Sequence, residues 1–303
     1  MSNVATTRDK TRDKTGHNSR LAWHPLSHAL GAEVAHADLT AALDASAVDA
    51  IRAAWNENHI LLFRGQKLSP DALIAFARRF GELDRHDATP FYRLEGHPEI
   101  LLVTNRMIGG KPSETRNTGR NWHSDYSYTN RPAAASMLYC EEKPPVGGDT
   151  MFCNMVRAYE TLSDKMKRIV DGLEAVYDIG LTAGINERDP QKTAELRRIN
   201  PPIAHPAVRT HPSSGKKALY VSERASHFHG MTAEESRPLI QFLCAHATRP
   251  ENVYRHRWQV NDLVLWDNRT TMHIALADFD PSAPRHMLRT TLLGEPSGFV
   301  VGG

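Results

Sequence analysis

Cysteine is scarce in this chain: Cys140, Cys153 and Cys244 are the only three among 303 residues, widely separated and odd in number. They form no Cys-x-x-Cys pair, which argues against a zinc–thiolate site. A dispersed, odd set does not build a disulfide framework, and it points to a reducing, cytoplasmic setting. Long apolar runs are missing too. No stretch approaches the roughly 18–20 residues needed to span a bilayer, and the N-terminus has no hydrophobic signal core, so no membrane partner is expected. Charge of one sign is not concentrated anywhere in the body of the chain: 37 basic and 35 acidic residues leave a net charge of +2. Without a basic face, no nucleic-acid partner is expected. No Gly-x-Gly-x-x-Gly follows a strand and no regular βαβ alternation is present, which disfavours a dinucleotide fold.

Residues 1–20 carry the tetrapeptide TRDK twice in tandem and no apolar face, so they are expected to be a disordered tail. The remainder, 21–303, contains no linker and no repeat of solenoid spacing, and is expected to form a single domain. Val48, Ile51, Ala54 and Trp55 mark a helix over 46–58. A second helix opens at Ser69 as N-cap, with Pro70 in its first position and Gly81 past its end. HILLFRGQ and EILLVTN have the composition of strands; residues 106–121 read as a polar loop, and the following WHSDYSY as extended chain. ASMLYCEE and DTMFCNM read as strands either side of the turn PPVGG. A helix is expected over 161–173, a polar excursion over 185–203, and a helix from the capping box Thr232–Glu235 to about His246. Four strand-like runs close the chain. The pattern is mostly β with flanking helices, suited to a β-sandwich or jelly-roll barrel with helices packed outside.

Histidine is plentiful, 16 in all, so a single His-x-Asp tripeptide carries little weight. Two occur, His36-Ala-Asp38 and His123-Ser-Asp125, beside one His97-Pro-Glu99. His36 sits before the first helix with nothing metal-like near it, and His97, ahead of a proline and a strand start, reads as a surface turn. His123 and Asp125 lie in an aromatic, extended stretch, where residues i and i+2 point the same way and Ser124 points away. An iron site of the facial-triad kind needs a second histidine. His273, between an apolar strand and the next, is the candidate. Arg285 and Arg289 follow, spaced to share one strand face. His227 and His229 in SHFHG form a second tempting pair, but no carboxylate or third histidine accompanies them. Trp122 and Tyr126, which flank the motif, read as core or pocket wall.

NWHSDYSY, PPVGGDTMF, VRTHPSSGKKALYV, WDNRTTMHIALADFDP and RHMLRTT occur in that order. Together they resemble the iron(II) and 2-oxoglutarate-dependent dioxygenases of the taurine dioxygenase family, which includes the 2,4-dichlorophenoxyacetate dioxygenases. The resemblance covers about residues 25–296. It implies a double-stranded β-helix (jelly-roll) core and a homo-oligomer, dimer or larger. It also implies Fe(2+) with O2 and 2-oxoglutarate as co-substrates. His123, Asp125 and His273 match the iron ligands, and Thr150 and Arg285 match the residues that hold the distal carboxylate of 2-oxoglutarate. Arg289 matches the arginine that holds the substrate's anionic group in the taurine enzyme, and His86 falls where that enzyme places a substrate-binding histidine. A guanidinium suits the carboxylate role because its forked donors match two oxygens at once.

The implied reaction hydroxylates a small organic anion, an aryloxyalkanoate or a sulfonate, with release of succinate and CO2. Cleavage next to a heteroatom would follow. GELDRH looks closer to the taurine enzyme, and VRTHPSSGKKALYVSERASHFHGM closer to the phenoxyalkanoate enzymes, so the residues leave both substrate classes open. A non-catalytic metal and 2-oxoglutarate-binding barrel, or a zinc-dependent hydrolase with the same three ligands, are the competing readings. Thr150 and Arg285 argue against the hydrolase, which needs no clamp for a distal carboxylate.

Overall fold

The computed structural model describes residues 21–87, 92–113, 115, 118–181 and 190–302. The TRDK tail and part of the 185–203 segment lie outside them.

Among the described residues there are five β-sheets, and two of them frame the candidate site. The larger has eight strands in the order Ala22–Pro25, Ala32–Ala35, Ile60–Phe63, Leu263–Asp267, Ala133–Glu142, His286–Leu293, His97–Thr104 and Arg93–Leu94. All neighbours in it are antiparallel except Ala32–Ala35 with Ile60–Phe63. The smaller has Thr150–Asn154 between Val253–His256 and Thr271–Ala275. Phe152 of the small sheet meets Trp266 of the large one with ring centroids 5.5 Å apart.

The central strands of the large sheet are apolar without interruption because both of their faces are covered. Alternate residues go to different cores. Leu61, Phe63, Met137, Tyr139, Leu263, Leu265, Leu288 and Leu292 join an outer core with Val48, Ile51 and Trp55 of the helix Ala45–Asn58. Leu73, Phe76 and Ala77 of the helix Pro70–Arg78 complete it. Ile60, Leu62, Leu138, Cys140, Val264, Trp266 and Met287 form an inner core against Phe152. Each fully buried side chain of this size contributes roughly 1.5–3 kcal/mol. A third core packs the helices Met155–Glu160 and Ala233–Ala247 against the strands Glu174–Tyr177, Ile203–Pro206 and Ala225–Phe228.

The caps read from the sequence are made. The Ser69 side chain accepts from Ala72 N, and Thr232 and Glu235 form the reciprocal capping box. All three cysteines are free and buried. Among the described residues, no helix is long and apolar enough to cross a membrane.

Three expectations change. The helix expected over 161–173 is shorter, Asp164–Val170, because the Ser163 side chain caps it by accepting from Met166 N, and a separate helix that was not expected, Met155–Glu160, precedes it. The polar loop 106–121 holds a hairpin, Met107–Ile108 with Lys111–Pro112, turned by Gly109 and Gly110 at φ 57° and 76°. Two consecutive positive φ values suit the tight hairpin turn that glycine makes easily. The polar excursion contains the helix Pro190–Ile199. That helix has no apolar stripe to betray it. Arg197 bonds Asp178, and Arg198 bonds Glu195, on its surface.

Asp267 ends a central strand and is buried. It accepts from Arg269 N and Nε and lies 3.0 Å from His211 Nε2. Burial raises its carboxyl pKa, but Arg269 and His211 outweigh this and hold it well below the usual carboxylate range. A depressed carboxyl contributes stability above its unfolded value of about 3.9 and loses it as pH falls toward the folded value. Asp267→Ala is therefore expected to cost about 3–5 kcal/mol at neutral pH, by stranding buried polar partners. The deficit relative to wild type should shrink below about pH 4. Urea midpoints at pH 7 and pH 3 measure both effects, and an unchanged midpoint at pH 7 would remove this role.

Candidate active site

NWHSDYSY is not a strand. His123 makes one isolated backbone bridge with His273: His123 N donates to His273 O at 3.0 Å, and His273 N to His123 O at 2.8 Å. The chain then turns, with Tyr126 in the left-handed region at φ 57°. Asn268 holds the segment from the side, its Oδ1 accepting from Asp125 N at 3.1 Å. The local alternation nevertheless holds over three residues. Ser124 points away and donates its hydroxyl to Thr271 O at 2.9 Å, while His123 and Asp125 face the same space.

His273 faces it too, from the strand Thr271–Ala275. His123 Nε2 lies 3.7 Å from Asp125 Oδ1, and His273 Nε2 lies 3.9 Å from Asp125 Oδ2. The two imidazole centroids are 4.1 Å apart. One ligand atom from each of the three falls within 4.8 Å of the others, and all three residues are buried. His123 Nδ1 lies 2.7 Å from Asn121 O. A carbonyl only accepts, so Nδ1 carries the proton and Nε2 keeps its lone pair for a metal. Asp125 Oδ2 accepts from Ser136 Oγ at 2.7 Å, and Oδ1 from Arg289 Nη1 at 3.2 Å. Asn268 Nδ2 in turn donates to Ser136 Oγ at 3.0 Å.

The charges suit a divalent cation. Burial lowers the His123 pKa well below its ordinary value, with Arg224 and His273 adding to the effect. Burial likewise lowers that of His273 to about 4. Burial opposes ionisation of Asp125, but Arg289 and the two histidines outweigh it and hold that carboxyl well below the usual range. At neutral pH the cluster is therefore two neutral imidazoles and one carboxylate, a donor set fitted to iron(II). His273 Nδ1 is buried with no hydrogen-bond partner.

Thr150 opens the strand Thr150–Asn154 and pairs with Ala275, two residues beyond His273. It is buried, and its hydroxyl accepts from Trp258 Nε1 at 3.0 Å. Arg285 is buried and donates from Nε to Gly148 O at 3.2 Å. Burial pulls its guanidinium down to about 10. Arg285 lines a narrow cleft with Thr104, Asn105, Thr118, Arg120 and Ala275. The GGDT motif has a steric basis beside it. Gly147 and Gly148 have φ of 74° and 72°, and a Cβ on Gly147 would lie 2.1 Å from Asp278 O.

Arg285 and Arg289 flank Met287, which lies in the inter-sheet core, so all three share the inward side as their spacing suggested. Their destinations differ, one at the Gly148 turn and the other on Asp125. His86 is buried at φ 52°, with Nδ1 2.9 Å from the Tyr126 hydroxyl and 3.0 Å from Asp84 Oδ2. The Tyr126 hydroxyl donates to Asp84 at 2.6 Å, and the Arg289 guanidinium lies 5.9 Å from the Tyr126 ring centre. Tyr126 thus links His86 to Arg289, a contact that the sequence reading did not foresee. Trp122 belongs to the third core, as expected.

His227 contacts Ser226 Oγ and His229 packs against Phe299. Neither belongs to a cluster of three ligands among the described residues. Ser136, Asn268 and Arg224 were also missed. Asn268 sits in the quoted WDN motif, whereas Ser136 and Arg224 carry no signal of spacing or composition.

Nearly the whole chain is similar to known proteins. The family described as Taurine catabolism dioxygenase TauD, TfdA family matches residues 23–291. The alpha-ketoglutarate-dependent 2,4-dichlorophenoxyacetate dioxygenase of Cupriavidus pinatubonensis is 38% identical over 285 residues, covering 90% of this chain and 97% of that protein. The alpha-ketoglutarate-dependent sulfate ester dioxygenase of Pseudomonas putida is 32% identical over 286 residues, covering 92% of this chain and 91% of that one. The crystal structure of AAD-2 in complex with Mn(II) and N-oxalylglycine superposes with a TM-score of 0.79 at 30% identity. It covers 92% of this chain and all (100%) of that one. The chain belongs to the taurine catabolism dioxygenase TauD, TfdA family.

Proposed function

We propose that this chain is an iron(II)- and 2-oxoglutarate-dependent dioxygenase that hydroxylates a small organic anion, with release of succinate and CO2. The observation that carries it is the buried His123, Asp125 and His273 cluster, ionised as a divalent metal requires. Relatives acting on 2,4-dichlorophenoxyacetate and on sulfate esters support the substrate range, aryloxyalkanoate or sulfonate-like. They lend no support to a zinc hydrolase or a non-catalytic barrel. The eight- and three-stranded sheets, facing each other through Phe152 and Trp266, are read as the halves of a double-stranded β-helix, within one domain over 21–303. The free thiols support a cytoplasmic location. A homo-oligomer, dimer or larger, rests on the family resemblance alone.

His123 and His273 would offer Nε2 to the iron, and Asp125 one carboxylate oxygen. When bound, the iron supplies oxygen activation coupled to decarboxylation of the keto acid. Ser136 fixes the Asp125 carboxylate by donating to Oδ2, and Arg289 by donating to Oδ1. Arg285 and Thr150 would hold the distal carboxylate of 2-oxoglutarate in the cleft beside Ala275. The Arg289 Nε, buried and without a partner, and His86 would face the substrate's anionic group. Hydroxylation next to a heteroatom would give an unstable product that breaks there.

The direct test is substrate-dependent succinate formation with oxygen uptake, across matched sulfonates, sulfate esters and aryloxyalkanoates. Turnover that persists with zinc and without oxygen would overturn the reading. Asp125→Ala is expected to abolish this succinate and to weaken Mn(II) binding by more than about 100-fold; full hydroxylation by that variant would sink the ligand assignment. Ser136→Ala should keep all three ligands but lose roughly 10- to 100-fold in metal affinity, measured by Mn(II) titration. Arg285→Lys is expected to raise the KM for 2-oxoglutarate at least about tenfold with a smaller change in kcat, since an ammonium does not reproduce the fork.

A further inference from the structure

Among the cationic groups around the cluster, Arg224 stands apart. Its neighbour Glu223 accepts from Trp122 N at 3.0 Å, which pins this turn to the residue preceding His123. The guanidinium acts electrostatically on His123, Asp125, Tyr128 and Arg289. Its Nε is buried with no hydrogen-bond partner, and among the described residues no carboxylate forms an ion pair with it. Buried donors are nearly always satisfied, so an orphaned one calls for an explanation. Arg289 Nε and His86 Nε2 are orphaned in the same way. Asp125 is the one carboxylate that acts on both Arg224 and Arg289, and it is the carboxylate committed to the metal.

We propose that Arg224 is a second anion-binding residue of the substrate chamber, acting with Arg289 to select a tetrahedral oxyanion, a sulfonate or sulfate ester, over a carboxylate. The proposal rests on the dioxygenase reading of the site and narrows its substrate class. Arg289 keeps Nη1 on Asp125, so only part of its fork is left for substrate. A carboxylate presents two oxygens in one plane, and one guanidinium edge satisfies both. A sulfonate presents three oxygens in three directions, which two guanidiniums from separate segments can reach. One of those segments is the strand His286–Leu293 and the other the turn preceding Ala225–Phe228.

The test is calorimetric titration of the full chain loaded with Mn(II) and 2-oxoglutarate without oxygen, using 1-pentanesulfonate and hexanoate, which share a five-carbon tail. The wild type is expected to bind the sulfonate at least about tenfold more tightly. R224Q should lose at least about tenfold for the sulfonate, the scale of one charge-assisted hydrogen bond. Its hexanoate affinity should change by less than about threefold, as should its 2-oxoglutarate affinity. R224K, which keeps the charge but not the fork, should fall between. Equal loss for both anions, no loss for the sulfonate, or a wild type that binds neither or prefers hexanoate would overturn the proposal. Should R224Q fail to fold, R224K decides by the same comparison: sulfonate-specific weakening supports it and unchanged sulfonate binding overturns it. Failure of 2-oxoglutarate to bind the Mn(II)-loaded wild type would instead remove the dioxygenase reading on which the proposal stands.

Discussion

A single negative charge, that of Asp125, is held where water has been excluded, and much of the molecule is arranged around it. An isolated buried carboxylate would neutralise itself by taking a proton. Here Arg289 and Ser136 bond one oxygen each, and the two imidazoles lie within 4 Å. The same burial acts oppositely on the histidines and keeps them neutral. Burial is the main cause of the neutral imidazoles, and the partners of Asp125 keep it ionised against that burial, which together give the mixed donor set that a divalent metal needs.

The fold serves this arrangement by dividing its strands between two cores. Ser136 and Arg289 come from neighbouring strands of the large sheet, paired so that Ser136 stands opposite Thr291 and Arg289 opposite Leu138. His273 comes from the small sheet, and His123 is tied to it by a two-way backbone bridge. The outer face of the large sheet is closed by two helices, which leaves the inner face free to meet Phe152 and to carry a polar centre beside an apolar core. Asn268 joins the parts. Its amide carbonyl takes the Asp125 N–H and the Trp266 indole N–H, and its amide nitrogen supports Ser136.

The proposed cofactor and substrate ends of the site are drawn from one segment of chain. Arg285 and Arg289 lie four residues apart with Met287 between them, and the one reaches the Gly147–Gly148 turn while the other reaches Asp125. The turn itself depends on backbone approach that no Cβ would permit. On the far side, Tyr126 couples His86 and Asp84 to the space beneath Arg289. Arg224 and Arg289 share Asp125 as the carboxylate that acts on both, and the proposed anionic substrate rests on that pairing.

Much was legible in the sequence where the controlling forces are local. Ser69 and Thr232 announce their helices because a cap is a contact between residues three apart. Alternating apolar residues announce strands because side chains change faces at each step. His123 and Asp125 share a direction for the same reason, although a turn follows them where an extended strand was expected. His273 was readable as a candidate from its place between two strands, whereas Thr150 and Arg285 were assigned their roles only through resemblance. Ser136, Asn268, Tyr126 and Arg224 were not readable in their roles. Ser136 is 11 residues from Asp125 and Asn268 is 143 away, and no short-range rule connects such pairs. The sequence by itself determined which side chains could bind a metal and which segments could be helix or strand. Only the tertiary structure decided which of 16 histidines lose their water together, because desolvation and pairing depend on what long-range sheet register brings to one place.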